Sequence, residues 1–103
     1  MFNLVLKGRK GQFDARGTYD PEKKKFIVKK GSLVSSTISH SEKFRGGDGI
    51  QKKRETTTKD GRTIVDVEFK SPSTAANYVT GSSTNGMVAW KDKNGVPLKS
   101  LIG

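Results

Sequence analysis

The stretch that decides the fold is Phe69-Lys-Ser-Pro-Ser-Thr-Ala-Ala-Asn-Tyr-Val-Thr-Gly-Ser-Ser-Thr-Asn-Gly-Met-Val-Ala-Trp-Lys-Asp-Lys-Asn-Gly-Val-Pro-Leu98. Ser71 suits a helix N-cap, because its hydroxyl can accept a hydrogen bond from a free amide of the first turn. Pro72 suits the first helical position, and Gly81 is a typical helix stop. The apolar residues between them recur at the spacing of a helix packed on a sheet: Ala75, Ala76 and Val79. The pattern predicts one main helix over about residues 71–80.

The sole tryptophan and a turn dipeptide follow this helix. Trp90 is interpreted as a core anchor that packs on the helix. The alternative is an exposed ring on which a nucleic-acid base could stack. Asn94-Gly95 is a favoured pair for a tight hairpin turn, which predicts flanking strands at residues 87–91 and 96–98.

Three strands are predicted upstream, at residues 2–7, 13–19 and 25–30. In the second of them apolar and polar residues alternate, as in a strand with one buried face. Short turns between the three favour an antiparallel meander. Residues 62–69 predict a fourth strand, and a short helix is expected around residues 50–55.

The fold class that follows is α+β. We expect a small antiparallel sheet of five or six strands, with the helix at about 71–80 packed on one face. The length of 103 residues predicts a single domain over residues 1–103. The core is expected to be small, because only 31% of the residues are hydrophobic. Its predicted members are Phe2, Leu4, Leu6, Phe13, Tyr19, Phe26, Val28, Val65, Val67, Phe69, Ala75, Ala76, Val79, Trp90 and Leu98.

The composition excludes several kinds of site. The chain has no cysteine, which rules out disulfides, thiol nucleophiles and cysteine-ligated metals within it. No apolar run approaches the roughly 18 residues that span a bilayer, so no membrane partner is expected. We predict a cytoplasmic protein without cofactors.

The charge is the strongest functional signal. Twenty Lys and Arg against ten Asp and Glu leave a formal charge of +10. Such an excess is typical of nucleic-acid binding, although lysines that merely keep a small core in solution would give the same count. The expected ligand is a nucleic acid, most simply DNA, held without sequence preference.

Basic residues cluster in the predicted turns and strand ends. If the meander is right, the turn at residues 7–11 shares one end of the sheet with residues 29 and 30, and residues 23–25 lie at the other end. Such clusters would hold phosphates by charge attraction and counterion release. The candidate nucleic-acid-binding residues are Arg9, Lys10, Lys29, Lys30, Lys52, Lys53, Arg54, Lys91 and Lys93.

Several of these segments also resemble a known bacterial family, domain-of-unknown-function family 4357. The similar segments are Ala15-Arg-Gly-Thr-Tyr19, Phe26-Ile-Val-Lys-Lys-Gly-Ser32, Ser71-Pro-Ser-Thr-Ala-Ala76, Gly81, Asn85-Gly86, Trp90-Lys-Asp92, and Gly95 with Leu98. The resemblance covers about residues 13–100. It implies an accessory domain of the kind that follows GIY-YIG nuclease domains or parts of restriction systems, with a nuclease or methylase as a possible partner.

Two other functions stay open at this stage. Asp66 and Glu68, two apart on a predicted strand, could begin the carboxylate site of a minimal metal-dependent nuclease, or could belong to a solvated strand face. His40, the only histidine, is expected to have no catalytic or ligand role. The other alternative is a protein–protein adaptor, such as a phage or mobile-element factor that binds an acidic partner.

Overall fold

The computed structural model describes residues 1–8, 10–36 and 47–102. The strands are β1 (Phe2–Lys7), β2 (Asp14–Asp20), β3 (Lys25–Val28), β4 (Thr58–Lys59), β5 (Arg62–Thr63) and β6 (Val67–Phe69). The helices are α1 (Gly47–Thr57), α2 (Pro72–Thr80), α3 (Gly86–Ala89) and α4 (Leu98–Ile102). The protein is therefore a mixed domain of short strands and helices.

The main sheet is antiparallel, with the strand order β1-β2-β3-β6. The predicted meander of the first three strands is confirmed. Leu4 lies opposite Gly17, Gly17 opposite Val28, and Val28 opposite Val67. All of these residues are buried, so they form one row on the inner face of the sheet. Because side chains alternate along a strand, the residues between them lie on the outer face.

The fourth strand differs from the prediction. Residues 62–69 do not form one strand, because the two ends of the run pair with different partners. Thr63 exchanges backbone hydrogen bonds with Gly31 and Ser32, whereas β6 pairs with β3. Ile64 and Val65, between the two ends, are each 46% exposed. The predicted burial of Val65 was therefore wrong.

The strand count also needs correction. The main sheet has four strands instead of the five or six expected, and β4 and β5 form a separate two-stranded ribbon. The segment after α3 contributes only single bridges, in which Lys91 lies between Val5 and Pro97. Helices α3 and α4 take up most of the residues expected as strands at 87–91 and 96–98. The expected turn at Asn94-Gly95 is present: Lys91 and Pro97 bridge across it, and Asp92 Oδ1 accepts the amides of Asn94 and Val96 at 2.8 and 2.9 Å.

The boundaries of α2 are confirmed at both ends. Ser71 Oγ accepts the Thr74 amide at 3.2 Å, and Pro72 begins the helix. Gly81 ends it with φ of 76°, a left-handed conformation in which glycine carries no side-chain penalty. The expectation of a single main helix is not confirmed, since α1 has 11 residues and α2 has 9. The short helix predicted at 50–55 lies within α1.

Trp90 anchors the core, as predicted, and the stacking alternative was wrong. Its ring is fully buried 4.5 Å from the Phe26 ring, and its Nε1 donates to Pro72 O at 3.0 Å. The core also contains residues that the sequence did not single out: Val34, Ile50 and Tyr78. Tyr78 is fully buried because its ring packs 5.1 Å from Phe69 on the sheet side of α2.

Candidate nucleic-acid interface

The outer face of the main sheet carries most of its charged side chains. Helix α2 contacts the sheet at β3 and β6, and its alanines are buried in the same core as the inner strand positions. Outer positions such as Asn3, Arg16 and Lys29 are exposed. The register fixes which of them are neighbours, because directly paired residues of antiparallel strands share a face.

One row of this face is basic. Val5 lies opposite Arg16 on one side and bridges Lys91 on the other. On the far side of Arg16, the Lys29 amide donates to Arg16 O at 2.8 Å, which continues the row onto β3. The row therefore runs Lys91, Val5, Arg16, Lys29 across neighbouring strands, which are about 5 Å apart.

A shallow cleft of about 430 Å³ opens on this row, and we call it the sheet-face cleft. Two backbone hydrogen bonds between Val5 and Lys91, of 2.7 and 3.0 Å, fix the turn at residues 92–95 beside β1. That attachment brings Lys93 to the cleft. Its lining is Asn3, Leu4, Val5, Arg16, Gly17, Thr18, Lys29 and Lys93. Arg16 has no side-chain hydrogen bond or ion pair within the described ranges, so its guanidinium is available to a ligand.

A larger cleft of about 730 Å³ lies where the β2–β3 turn, β6, α1 and the start of α2 meet, and we call it the lysine cleft. Its lining holds five ammonium groups and one carboxylate: Lys23, Lys24, Lys25, Lys53, Glu68, Phe69, Lys70 and Thr74. Lys25 Nζ lies 3.5 Å from Glu68 Oε1. Because this one carboxylate offsets only one of the five ammonium charges, the cleft remains strongly positive.

Local contacts position the β2–β3 turn and Lys53 at this cleft. Asp20 Oδ1 accepts the amides of Glu22 and Lys23 at 3.1 and 3.4 Å, which shapes the β2–β3 turn. Lys53 Nζ donates to Glu68 O at 3.2 Å and lies 4.5 Å from the centroid of the Phe69 ring, a cation–π distance. The turn and helix α1 therefore present their lysines to one cavity, although they are distant in sequence.

Arg54 was expected on the binding surface, and the structure places it in the core. It is only 9% exposed, and its guanidinium donates to Ser35 O at 2.8 Å and to Tyr78 O at 2.7 and 3.0 Å. Burial lowers the pKa of Arg54, an effect that the nearby Tyr78 partly offsets. The group binds backbone carbonyls at the end of α2 instead of phosphates, so it is removed from the candidate interface.

The remaining candidates divide between the two clefts and the rest of the surface. Lys29 and Lys93 line the sheet-face cleft, Lys91 lies in the same row, and Lys53 lines the lysine cleft. Lys10, Lys30 and Lys52 are exposed but line neither cleft. Arg9 lies outside the described residues.

Sequence reasoning named the lysines at residues 23–25 as a basic cluster but did not list them among the candidate binding residues, although all three line the lysine cleft. It missed two further cations that line the clefts, Arg16 and Lys70. The alternation of Asp14, Arg16 and Thr18 on the polar face of β2 was a signal that could have identified Arg16. Lys70 gave none, because its position depends on how β6 meets α2.

The carboxylates of Asp66 and Glu68 form ion pairs with neighbouring lysines. Asp66 Oδ1 accepts the Lys30 amide at 2.8 Å, and its Oδ2 lies 3.9 Å from Lys29 Nζ. Across residues 1–8, 10–36 and 47–102, no three His, Cys, Asp or Glu side chains come close enough to hold a metal ion. His40 lies outside this part of the chain. Asp66 and Glu68 are thus ion-paired residues of a strand face, which favours the structural interpretation over the nuclease one.

Comparison with known proteins gives the chain a family. In the part that the structure describes, no helix is long and apolar enough to cross a membrane. No curated protein and no solved structure matches the chain. The family described as Domain of unknown function (DUF4357) matches residues 4–102. That match covers nearly the whole chain and agrees with the resemblance carried by the segments around Trp90 and Gly81, so the protein belongs to the DUF4357 family.

Proposed function

We propose that this domain is a non-catalytic accessory module that binds nucleic acid, most simply DNA, through its basic clefts. In this role it holds the nucleic acid for a nuclease or methylase partner in a cytoplasmic restriction or DNA-processing system. The observation that carries the proposal is the lysine cleft, where five ammonium groups surround one cavity with a single carboxylate.

The physics of phosphate binding favours this ligand. Each lysine that neutralises a phosphate releases condensed counterions, which drives association at low salt. The lysine cleft also lies at the start of α2, since Thr74 of the first helical turn lines it. The partial positive charge of a helix N-terminus adds to the attraction for anions. Lysines that contact phosphates carry no sequence information, so the proposed binding is independent of base sequence.

A charge-matched pair of variants tests the cleft itself. Lys23→Glu with Lys70→Glu reverses two lining residues, and Lys59→Glu with Lys99→Glu reverses two exposed lysines that line neither cleft. Both variants change the net charge by the same amount. Binding of each to a random-sequence DNA duplex is measured by fluorescence anisotropy from about 50 to 200 mM salt.

The cleft variant is expected to lose more than about tenfold in affinity. The negative slope of its log K against log salt should become shallower by about two, because two phosphate contacts are lost. The control variant should keep most of the wild-type slope. Equal losses in both variants would show that bulk charge and not the cleft binds DNA. If the wild type binds no DNA at about 50 mM salt, the proposal fails, and an acidic protein becomes the ligand to test.

A further inference from the structure

Every aromatic ring that the structure describes is turned toward the core. Phe26, Tyr78 and Trp90 are fully buried, and Phe69 is 6% exposed. Phe2, Phe13 and Tyr19 are partly buried and pack against the same core. Between the basic residues, the outer sheet face instead carries two half-buried aliphatic side chains and one largely buried threonine: Val5, Ile27 and Thr18.

The described part of this outer sheet face lacks the exposed aromatic rings on which single-stranded nucleic acids stack their bases. Proteins that bind single-stranded nucleic acid without sequence preference stack successive bases on exposed aromatic side chains, in addition to attracting the backbone. Among residues 1–8, 10–36 and 47–102, neither cleft offers an exposed aromatic ring. The described outer face therefore attracts nucleic acid mainly by charge, and charge acts on the backbone.

The two clefts adjoin each other on the outer face at β3, and the lysine cleft extends from there past β6 to α1 and the start of α2. Lys25 lines the lysine cleft and Lys29 lines the sheet-face cleft, and both are on the outer side of the same chain segment. They are four residues apart, which is about 13 Å along a strand. Ile27 lies between them and separates the two cationic areas. The separation is close to the major-groove width of B-form DNA, about 12 Å.

We infer that this face binds a nucleic-acid duplex, with one backbone at the lysine cleft and the other at the sheet-face cleft, in preference to a single strand. The inference rests on the proposed function and specifies its ligand. A duplex carries one negative charge per about 1.7 Å of its axis, about twice the density of either strand. A surface that attracts mainly by charge therefore binds the duplex more tightly.

The test compares a single strand with the duplex of the same length and sequence, in fluorescence anisotropy at matched salt. The duplex is expected to bind the wild type about tenfold more tightly and to give the steeper salt dependence. Arg16→Glu with Lys93→Glu should weaken duplex binding as much as Lys23→Glu with Lys70→Glu does. The Lys59→Glu, Lys99→Glu variant is the charge control, and thermal unfolding confirms that all variants fold.

The outcomes separate the two proposals. A single strand that binds as tightly as the duplex, or more tightly, overturns the duplex inference while nucleic-acid binding stands. Duplex affinity that depends on only one of the two clefts also overturns it, because the inference requires both. If neither form of DNA binds, the proposed function itself fails, and the inference fails with it.

Discussion

At the scale of single residues, two glycines show how strongly the surrounding atoms determine the effect of a substitution. A Cβ on Gly86 would lie 2.2 Å from Pro72 C and 2.3 Å from Pro72 O, which are backbone atoms that cannot move aside. A Cβ on Gly49, within α1, would meet nothing within 4 Å. The same chemical change should therefore have opposite effects at the two positions.

Gly86→Ala is expected to lower the free energy of unfolding by about 3 kcal/mol, because α3 must move away from α2. Gly49→Ala should raise it by about 0.5 to 1 kcal/mol, since alanine favours a helix and restricts the unfolded chain. Urea unfolding of both variants measures the two values. A Gly86→Ala protein as stable as the wild type would contradict the close approach of α3 to Pro72.

At the scale of elements, Arg54 joins α1 to the end of α2. The last carbonyls of a helix have no partner within the helix, and in α2 they all find one elsewhere. Gly81 N donates to Asn77 O, Arg54 to Tyr78 O and Val79 O, and Ser35 to Val79 O and Thr80 O. The arginine thus serves as a distant cap for α2 and positions α1, which carries Lys53.

Arg54→Met is expected to lower the free energy of unfolding by about 3 kcal/mol, because it leaves buried carbonyls without their donors. Lys52→Met, the same change in kind at the exposed neighbouring position, should alter it by less than about 0.5 kcal/mol. Chemical unfolding monitored by the buried Trp90 compares the two variants. Equal stability of both would show that Arg54 does not hold the helices together.

At the scale of the whole molecule, stability is expected to depend on pH through the packing of α1 on α2. Burial raises the pKa of Tyr78 above its usual value of 10.0, and a hydrogen bond with Thr57 and the charge of Arg54 partly offset the rise. A raised pKa means that the folded state favours the neutral phenol. This stabilisation is present below pH 10.0 and is lost as the pH rises through the folded-state pKa.

Tyr78→Phe removes the titrating group from this contact. At neutral pH the variant should lose about 1 kcal/mol of unfolding free energy, because the hydrogen bond with Thr57 is gone. Above pH 10.0, the usual pKa of tyrosine, its unfolding free energy should fall less steeply than that of the wild type. Parallel curves for the two proteins over that range would contradict the burial of the phenol.

Much of the fold could be predicted from local sequence, because helix ends and strands depend on residues only a few positions apart. Ser71, Pro72 and Gly81 define α2 because capping and left-handed turns are set by the backbone next to each residue. The meander of the first three strands follows from alternation and short turns. The total charge, and with it the expectation of a polyanionic ligand, needs no structure at all.

Only the tertiary structure decided where that charge lies on the molecule. In sequence, Arg54 belongs to a basic run with Lys52 and Lys53, yet it is buried and they are exposed. Arg16, Lys29 and Lys93 share a cleft that no sequence spacing indicates. The reason is physical: capping and alternation are local interactions, whereas burial and the grouping of charges depend on which segments pack together.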